Sequence, residues 1–177
     1  EGLDAHALLA SKTGFCNFIY ANRKSHPNRD AMFHKLSAFR FVNSLGPHLN
    51  NTPGDGHRAE DWYASSIRMK KPYKFSIAFE NAWYPGYTSE KIVTSMLAGT
   101  IPIYWGNPDI SREFNSASFI NCHDFPTLDD AAAYVKKVDE DDSLWCEIMS
   151  RPWKTPEQEA RFLEETERET AKLYKIF

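Results

Sequence analysis

The sequence predicts an α/β fold in which helices cover both faces of a mainly parallel β-sheet. Three observations carry that expectation. Short apolar runs alternate with stretches of helical periodicity from residue 15 to residue 138, the pattern of strands joined by helical crossovers. The run 75–106, FSIAFENAWYPGYTSEKIVTSMLAGTIPIYWG, contains one whole unit of this kind: strand, polar turn, helix, strand. Its last segment, IPIYW at 101–105, is apolar or aromatic throughout, as suits a strand buried on both faces.

Taken in order, the polar opening EGLDAHALLASKTG at 1–14 reads as a leader or linker without the character of a signal peptide. The first strand is 15–20, FCNFIY, ended by Ala21 and Asn22. A basic loop holding Arg23, Lys24 and Arg29 leads into a helix over 30–39, where Met32, Phe33, Leu36 and Phe39 fall at helical spacing. A short second strand occupies 40–45. The next stretch, GPHLNNTPGDGH at 46–57, is too rich in Gly, Pro and Asn for regular structure, and its glycines match neither the GxGxxG nor the Walker spacing of a phosphate loop. A helix over 59–69 is stopped by Lys70, Lys71 and Pro72.

The third strand, 75–79, stops at Glu80 and Asn81, and Pro85 with Gly86 turns the chain. Thr88 or Ser89 is placed to cap the following helix, to which Ile92, Val93, Met96 and Leu97 give an apolar face. Beyond the strand 101–105 come a short helix at 109–114, a strand at 118–121, and a helix over 128–138 with Leu128, Ala132, Val135 and Val138 on one face. The acidic patch 139–142 starts another helix, striped by Leu144, Trp145, Ile148 and Met149. Its carboxylates read as a solvated turn with helix-start acids rather than a metal site, because they point around a turn instead of converging. The domain is expected to run over 15–151 and to be followed, within 152–177, by a charged helix with a thin seam of Phe162, Thr166, Leu173 and Tyr174.

Composition narrows the function. A chain of 177 residues is one domain's worth, and a net charge of −3 argues against a general nucleic-acid surface while leaving room for a local cluster of cations. No apolar run is long enough to span a membrane. Cys16, Cys122 and Cys146 form neither a disulfide framework nor a CxxC pair and read as small core residues of a reducing compartment. That points to a bacterial cytoplasm, with membrane association of a longer protein left open. The histidines show no HxxxH or HxH spacing, so no metal site is expected.

Lys91 is the informative residue of the 75–106 run. A cation in the first turn of a helix opposes the macrodipole unless an anion is also present, and a phosphate would supply one. A solvated surface lysine is the competing reading. His123 with Asp124 invites a catalytic role, but no nucleophile in a GxSxG setting accompanies the pair.

The successive motifs FEN, PGY, SEK and AGTIPIYWG closely resemble the donor-binding motif of the α-1,3-fucosyltransferase family, with Ser89 where that family usually has threonine. The resemblance covers about 15–151. It implies a Rossmann-like domain forming one half of a two-Rossmann (GT-B) glycosyltransferase, with GDP-fucose as donor substrate, inversion at the anomeric centre, and neither a cofactor nor a required metal. Lys91 and Arg29 would then face the donor pyrophosphate, with Arg23 and Lys24 as weaker matches than Arg29. Glu90 would take the ribose hydroxyls, and Asn81 and Tyr87 would line the nucleotide-sugar pocket.

The resemblance also implies an N-terminal half that binds a glycan acceptor of N-acetyllactosamine or Lewis type and supplies the catalytic base. Only a short stretch precedes the first strand here, so the chain reads as the donor half, inactive in transfer when alone, and no residue of it is assigned a catalytic role. Two other classes stay open. A non-catalytic sugar-nucleotide module would keep Lys91 and Arg29 without an acceptor half. A phosphoacceptor domain would need an aspartate at the end of the central strand, where Glu80 and Asn81 stand instead.

Overall fold

The computed structural model describes residues 4–53 and 61–173. Within them the strands are β1 (Gly14–Phe18), β2 (Val42–Ser44), β3 (Tyr73–Phe79), β4 (Ile101–Trp105) and β5 (Ile120–Asn121), all parallel, in the order β2-β1-β3-β4-β5. The helices are α1 (Ala5–Ala10), α2 (Asn28–Phe39), α3 (Trp62–Lys70), α4 (Glu90–Leu97), α5 (Leu128–Glu140), α6 (Asp142–Ser150) and α7 (Pro156–Leu173).

Alternation along the strands sends side chains to two helical layers, as the period of a strand requires. Ile77, Phe79, Ile103 and Trp105 face a core shared with Met32 and Leu36 of α2, Val135 of α5 and Trp145 of α6. Ala78 and Tyr104 face the other way, onto Ile92 and Met96 of α4 and onto Ile110 and Phe114. Full burial of Ile92 alone is worth about 2 kcal/mol. The expected sheet with helices on both faces is therefore present. The stretch ahead of β1 carries α1, which packs on α6 and buries Ala5.

Several boundaries move for identifiable reasons. β1 starts at Gly14 and ends at Phe18, and Tyr20, read as its last residue, braces β3 instead. The Tyr20 hydroxyl is 3.0 Å from the carbonyls of Ile77 and Phe79 and accepts the Phe79 N–H at 2.7 Å. α2 begins at Asn28, two residues earlier than expected, which puts Arg29 in its first turn. The helix expected at 109–114 is a 3-10 turn over Ile110–Arg112, and β5 is two residues long after a 3-10 turn at Ser116–Ser118.

The acidic patch divides its roles. Asp139 is buried and pairs with Arg40 at 2.8 Å and Lys74 at 3.2 Å, against the expectation of a solvated turn, whereas Asp141 caps α6 by accepting the Leu144 N–H. On α7, Phe162 and Leu163 are half exposed. The expectations for 54–60, and for the side chain of Leu173 and for Tyr174, lie outside the described residues. No helix among the described residues is long and apolar enough to cross a membrane.

Candidate functional site

The chain leaves β1 toward β2 on one side and returns to β3 on the other, so the loops that follow β1 and β3 part company. Open parallel sheets bind ligands in the crevice that forms at such a point, outside the carboxyl ends of the strands. A cleft of about 420 Å³ lies there, and its lining includes Tyr20, Asn22, Lys70, Asn81, Glu90 and Lys91. A larger hollow of about 690 Å³, lined by Leu8, Lys12 and Gly99 among others, sits at the amino-terminal edge of the strands, away from every residue singled out for binding.

The cleft is anchored by Glu80, which immediately follows β3 and is fully buried. Its Oε1 accepts the Ser89 N–H at 2.8 Å, both its oxygens accept from the Ser89 hydroxyl at 2.9 and 2.7 Å, and Lys91 Nζ donates to Oε2 at 3.0 Å. Lys91 also donates to Ser89 Oγ at 2.8 Å. The anion beside the lysine is thus Glu80, which removes the argument that a phosphate is needed to explain a cation in that turn. The lysine side chain nevertheless remains 19% exposed at the cleft.

Ser89 occupies the N-cap position of α4 but makes no capping hydrogen bond, because its hydroxyl is turned to Glu80; Thr88 donates to Glu113 at 3.0 Å. The expected cap is therefore absent, and the first turn of α4 keeps N–H groups uncapped by either side chain. Gly106 makes room for this arrangement. Its φ is +153°, and a Cβ there would stand 2.5 Å from both Cβ and Cγ of Glu80.

Arg29 reaches the same place from beneath. Its side chain is fully buried, with Nη2 donating to the Asn22 carbonyl at 2.7 Å, Nη1 at 3.5 Å from Asn81 Oδ1, Nε at 3.3 Å from Asp30, and the guanidinium carbon 4.5 Å from the centre of the Tyr20 ring. It ties the end of the loop after β1 to the end of β3. Arg23 and Lys24 are exposed.

The structure therefore brings Asn81, Glu90 and Lys91 to the cleft, with Arg29 below them. Tyr87 stands apart, 39% exposed on the turn that Asn107 Oδ1 fastens by accepting the Gly86 N–H. His123 is also occupied elsewhere: its Nε2 accepts the Gly106 N–H at 3.2 Å, and burial lowers its pKa from the usual 6.5, so it serves as a neutral acceptor holding the exit of β4. Sequence reasoning missed two residues. Glu80 reads from sequence only as a strand end and Lys70 only as a helix stop; the inward turn of Lys70 is set by Thr94 and Ser95, which lie in another helix.

The fold, with its match to a solved α1,3-fucosyltransferase, is that of an α/β domain of the GT-B glycosyltransferase type. The chain aligns with a crystal structure of an α1,3-fucosyltransferase with GDP-fucose at a TM-score of 0.70 and 31% identity, over 78% of this chain and 38% of that one. It belongs to glycosyltransferase family 10 (fucosyltransferase), whose C-terminal model matches residues 9–174. It is 33% identical over 152 residues to the α-(1,3)-fucosyltransferase of Helicobacter pylori, covering 85% of this chain and 30% of that protein. It is 37% identical over 131 residues to GDP-fucose protein O-fucosyltransferase 3 of Xenopus laevis, covering 72% and 28% respectively. The chain thus spans between about a quarter and two fifths of the length of these relatives.

Proposed function

We propose that this chain is the donor-binding half of an inverting α-1,3-fucosyltransferase that takes fucose from GDP-fucose. The observation that carries the reading is the meeting of Asn81, Glu90, Lys91 and the uncapped first turn of α4 at the cleft between β1 and β3, in a chain of this family. As the bond from fucose to the diphosphate breaks, negative charge grows on the leaving group, and a fixed ammonium with helix-start N–H groups lowers that barrier. Lys91 supplies the ammonium, and Glu80 and Ser89 hold it in place beforehand, so little reorganisation accompanies reaction. Glu90 accepts from the ribose hydroxyls. Arg29 acts from below by fixing Asn81 and the loop at Asn22. Tyr87 meets the donor only if its turn folds inward over the cleft.

The test is calorimetry with a panel of nucleotides. GDP and GDP-fucose are expected to bind in preference to ADP and UDP-sugars; equal or absent binding across the panel counts against the reading.

The acceptor is proposed to be a glycan of N-acetyllactosamine or Lewis type, held by a separate N-terminal half. Inversion needs a base within hydrogen-bond reach of the acceptor hydroxyl. Neither carboxylate at the cleft is free for this, since Glu80 is buried against Ser89 and Lys91 and Glu90 adjoins Lys91 on the nucleotide side. The isolated chain is therefore expected to give no transfer in a radiolabelled assay with lactosamine acceptors, and joining it to an acceptor half is expected to restore transfer. Robust transfer by the chain alone would show that a base lies within it.

A further inference from the structure

α3 ends in a lysine whose side chain turns into the protein. Lys70 is 5% exposed, and its ammonium donates to the Thr94 hydroxyl at 2.6 Å and the Ser95 hydroxyl at 3.3 Å, in the second turn of α4. Both hydroxyls in turn donate to the Lys91 carbonyl, so the lysine rests on neutral groups that are themselves held by the backbone of α4. Among the described residues the carboxylate-bound lysine of this region is Lys91, and Lys70 forms no ion pair. A buried cation without a counter-ion is unfavourable, and such groups are retained where something else is gained. Here the residue lines the same cleft as Asn81, Glu90 and Lys91.

We propose that Lys70 is a further binding residue of this cleft, its ammonium answering the negative charge of a nucleoside diphosphate from the side of α3. The inference rests on the nucleotide reading of the cleft given above. It differs from that reading in adding a cation from another helix.

The surroundings of Lys70 support this. Burial pushes its pKa down to about 7, with Glu90 opposing the fall and Lys91 adding to it. Among the described residues those two, both at the start of α4, are the charged groups whose fields reach it; Arg68 and Lys71, its basic neighbours along the chain, are exposed. Burial therefore favours the amine at this position more than it would for a solvated lysine. A diphosphate in the cleft favours the ammonium, and the proton required comes from the solvent.

The experiment is calorimetric titration of GDP into the chain at about pH 7.5, in buffers of different ionisation enthalpy, for the wild type, Lys70→Met and Lys70→Arg. The wild type is expected to take up more protons per GDP than Lys70→Arg, which is charged throughout, while the two bind with similar affinity. Lys70→Met is expected to bind roughly ten- to hundredfold more weakly. Its fold should persist, because an apolar chain replaces a buried charge, and thermal unfolding checks this. If Lys70→Met does not fold, the proton difference between the wild type and Lys70→Arg decides. Affinity unchanged in Lys70→Met, or no difference in proton uptake between the wild type and Lys70→Arg, overturns the proposal and leaves the nucleotide reading standing. Failure of the wild type to bind GDP overturns the nucleotide reading and this inference together.

Discussion

Glu80→Ala is expected to lower the unfolding free energy of the chain by about 3–5 kcal/mol, the range for breaking a buried ion pair from one side. The carboxylate has no exposed surface and gathers three donors: the Ser89 N–H, the Ser89 hydroxyl and the Lys91 ammonium. Its removal leaves the Lys91 ammonium, itself only 19% exposed, with the Ser89 hydroxyl for company, and opens a cavity against Gly106. Glu80→Gln keeps the volume and one acceptor oxygen, so its cost should be smaller, about 1.5–3 kcal/mol, the value of a hydrogen bond to a charged group. Urea unfolding of the three proteins measures both. A Glu80→Ala midpoint equal to the wild type's would mean that the strand end and the start of α4 are held by backbone packing alone.

The unit from Tyr73 to Trp105 was legible because each of its parts has a local signature. β4 was read over its full length, since five consecutive apolar or aromatic residues between Thr100 and Gly106 admit few other conformations in a buried sheet. α4 was legible from Ile92, Val93 and Met96. The hydrogen-bond partners at its start were not, because Ser89 and Lys91 each have a local role, as cap and as surface cation, that the burial of Glu80 overrides. Burial of a carboxylate depends on what closes over it, in this case Gly106 just past the end of β4, and that is not a property of the run FEN itself.

The same limit applied elsewhere. Asp139 lies among other acids that are solvated, and its inward turn depends on Arg40 and Lys74, each at least 65 positions away in the chain. Tyr20 carries the apolar character of a strand residue, yet its hydroxyl is used to brace β3. The parting of loops at β1 and β3 follows from strand order, which the alternation of elements leaves undetermined. Once that order is known, a cleft is expected outside the ends of β1 and β3, and Asn81, Glu90 and Lys91 are among the residues that line it.

Arg29→Met is expected to affect both stability and binding, which separates it from a simple phosphate contact. From sequence, an arginine at a helix start could be removed at the expense of the ligand only, with the fold intact. Its complete burial changes that expectation. Methionine fills most of the space but gives up the bond to the Asn22 carbonyl at 2.7 Å, leaving that acceptor unmatched, together with the stacking over Tyr20 at 4.5 Å. The loss of stability should be about 1.5–3 kcal/mol, the value of a hydrogen bond to a charged group. GDP affinity should fall as well, by roughly tenfold or more, because Asn81 and the loop at Asn22 lose the group that sets their spacing. Lys24→Ala, at an exposed position, should stay within about 0.5 kcal/mol of the wild type in stability and leave GDP affinity unchanged. Arg29→Lys distinguishes charge from shape: it keeps the positive charge and gives up the planar fork that spans Asn22 and Asn81. If the arginine acts by positioning, the lysine variant should bind GDP no better than the methionine variant, with urea unfolding run alongside to confirm that both are folded at the temperature of the titration. Recovery of wild-type affinity in Arg29→Lys would show instead that the field of the charge, and not the tie between the two loops, is what the ligand uses.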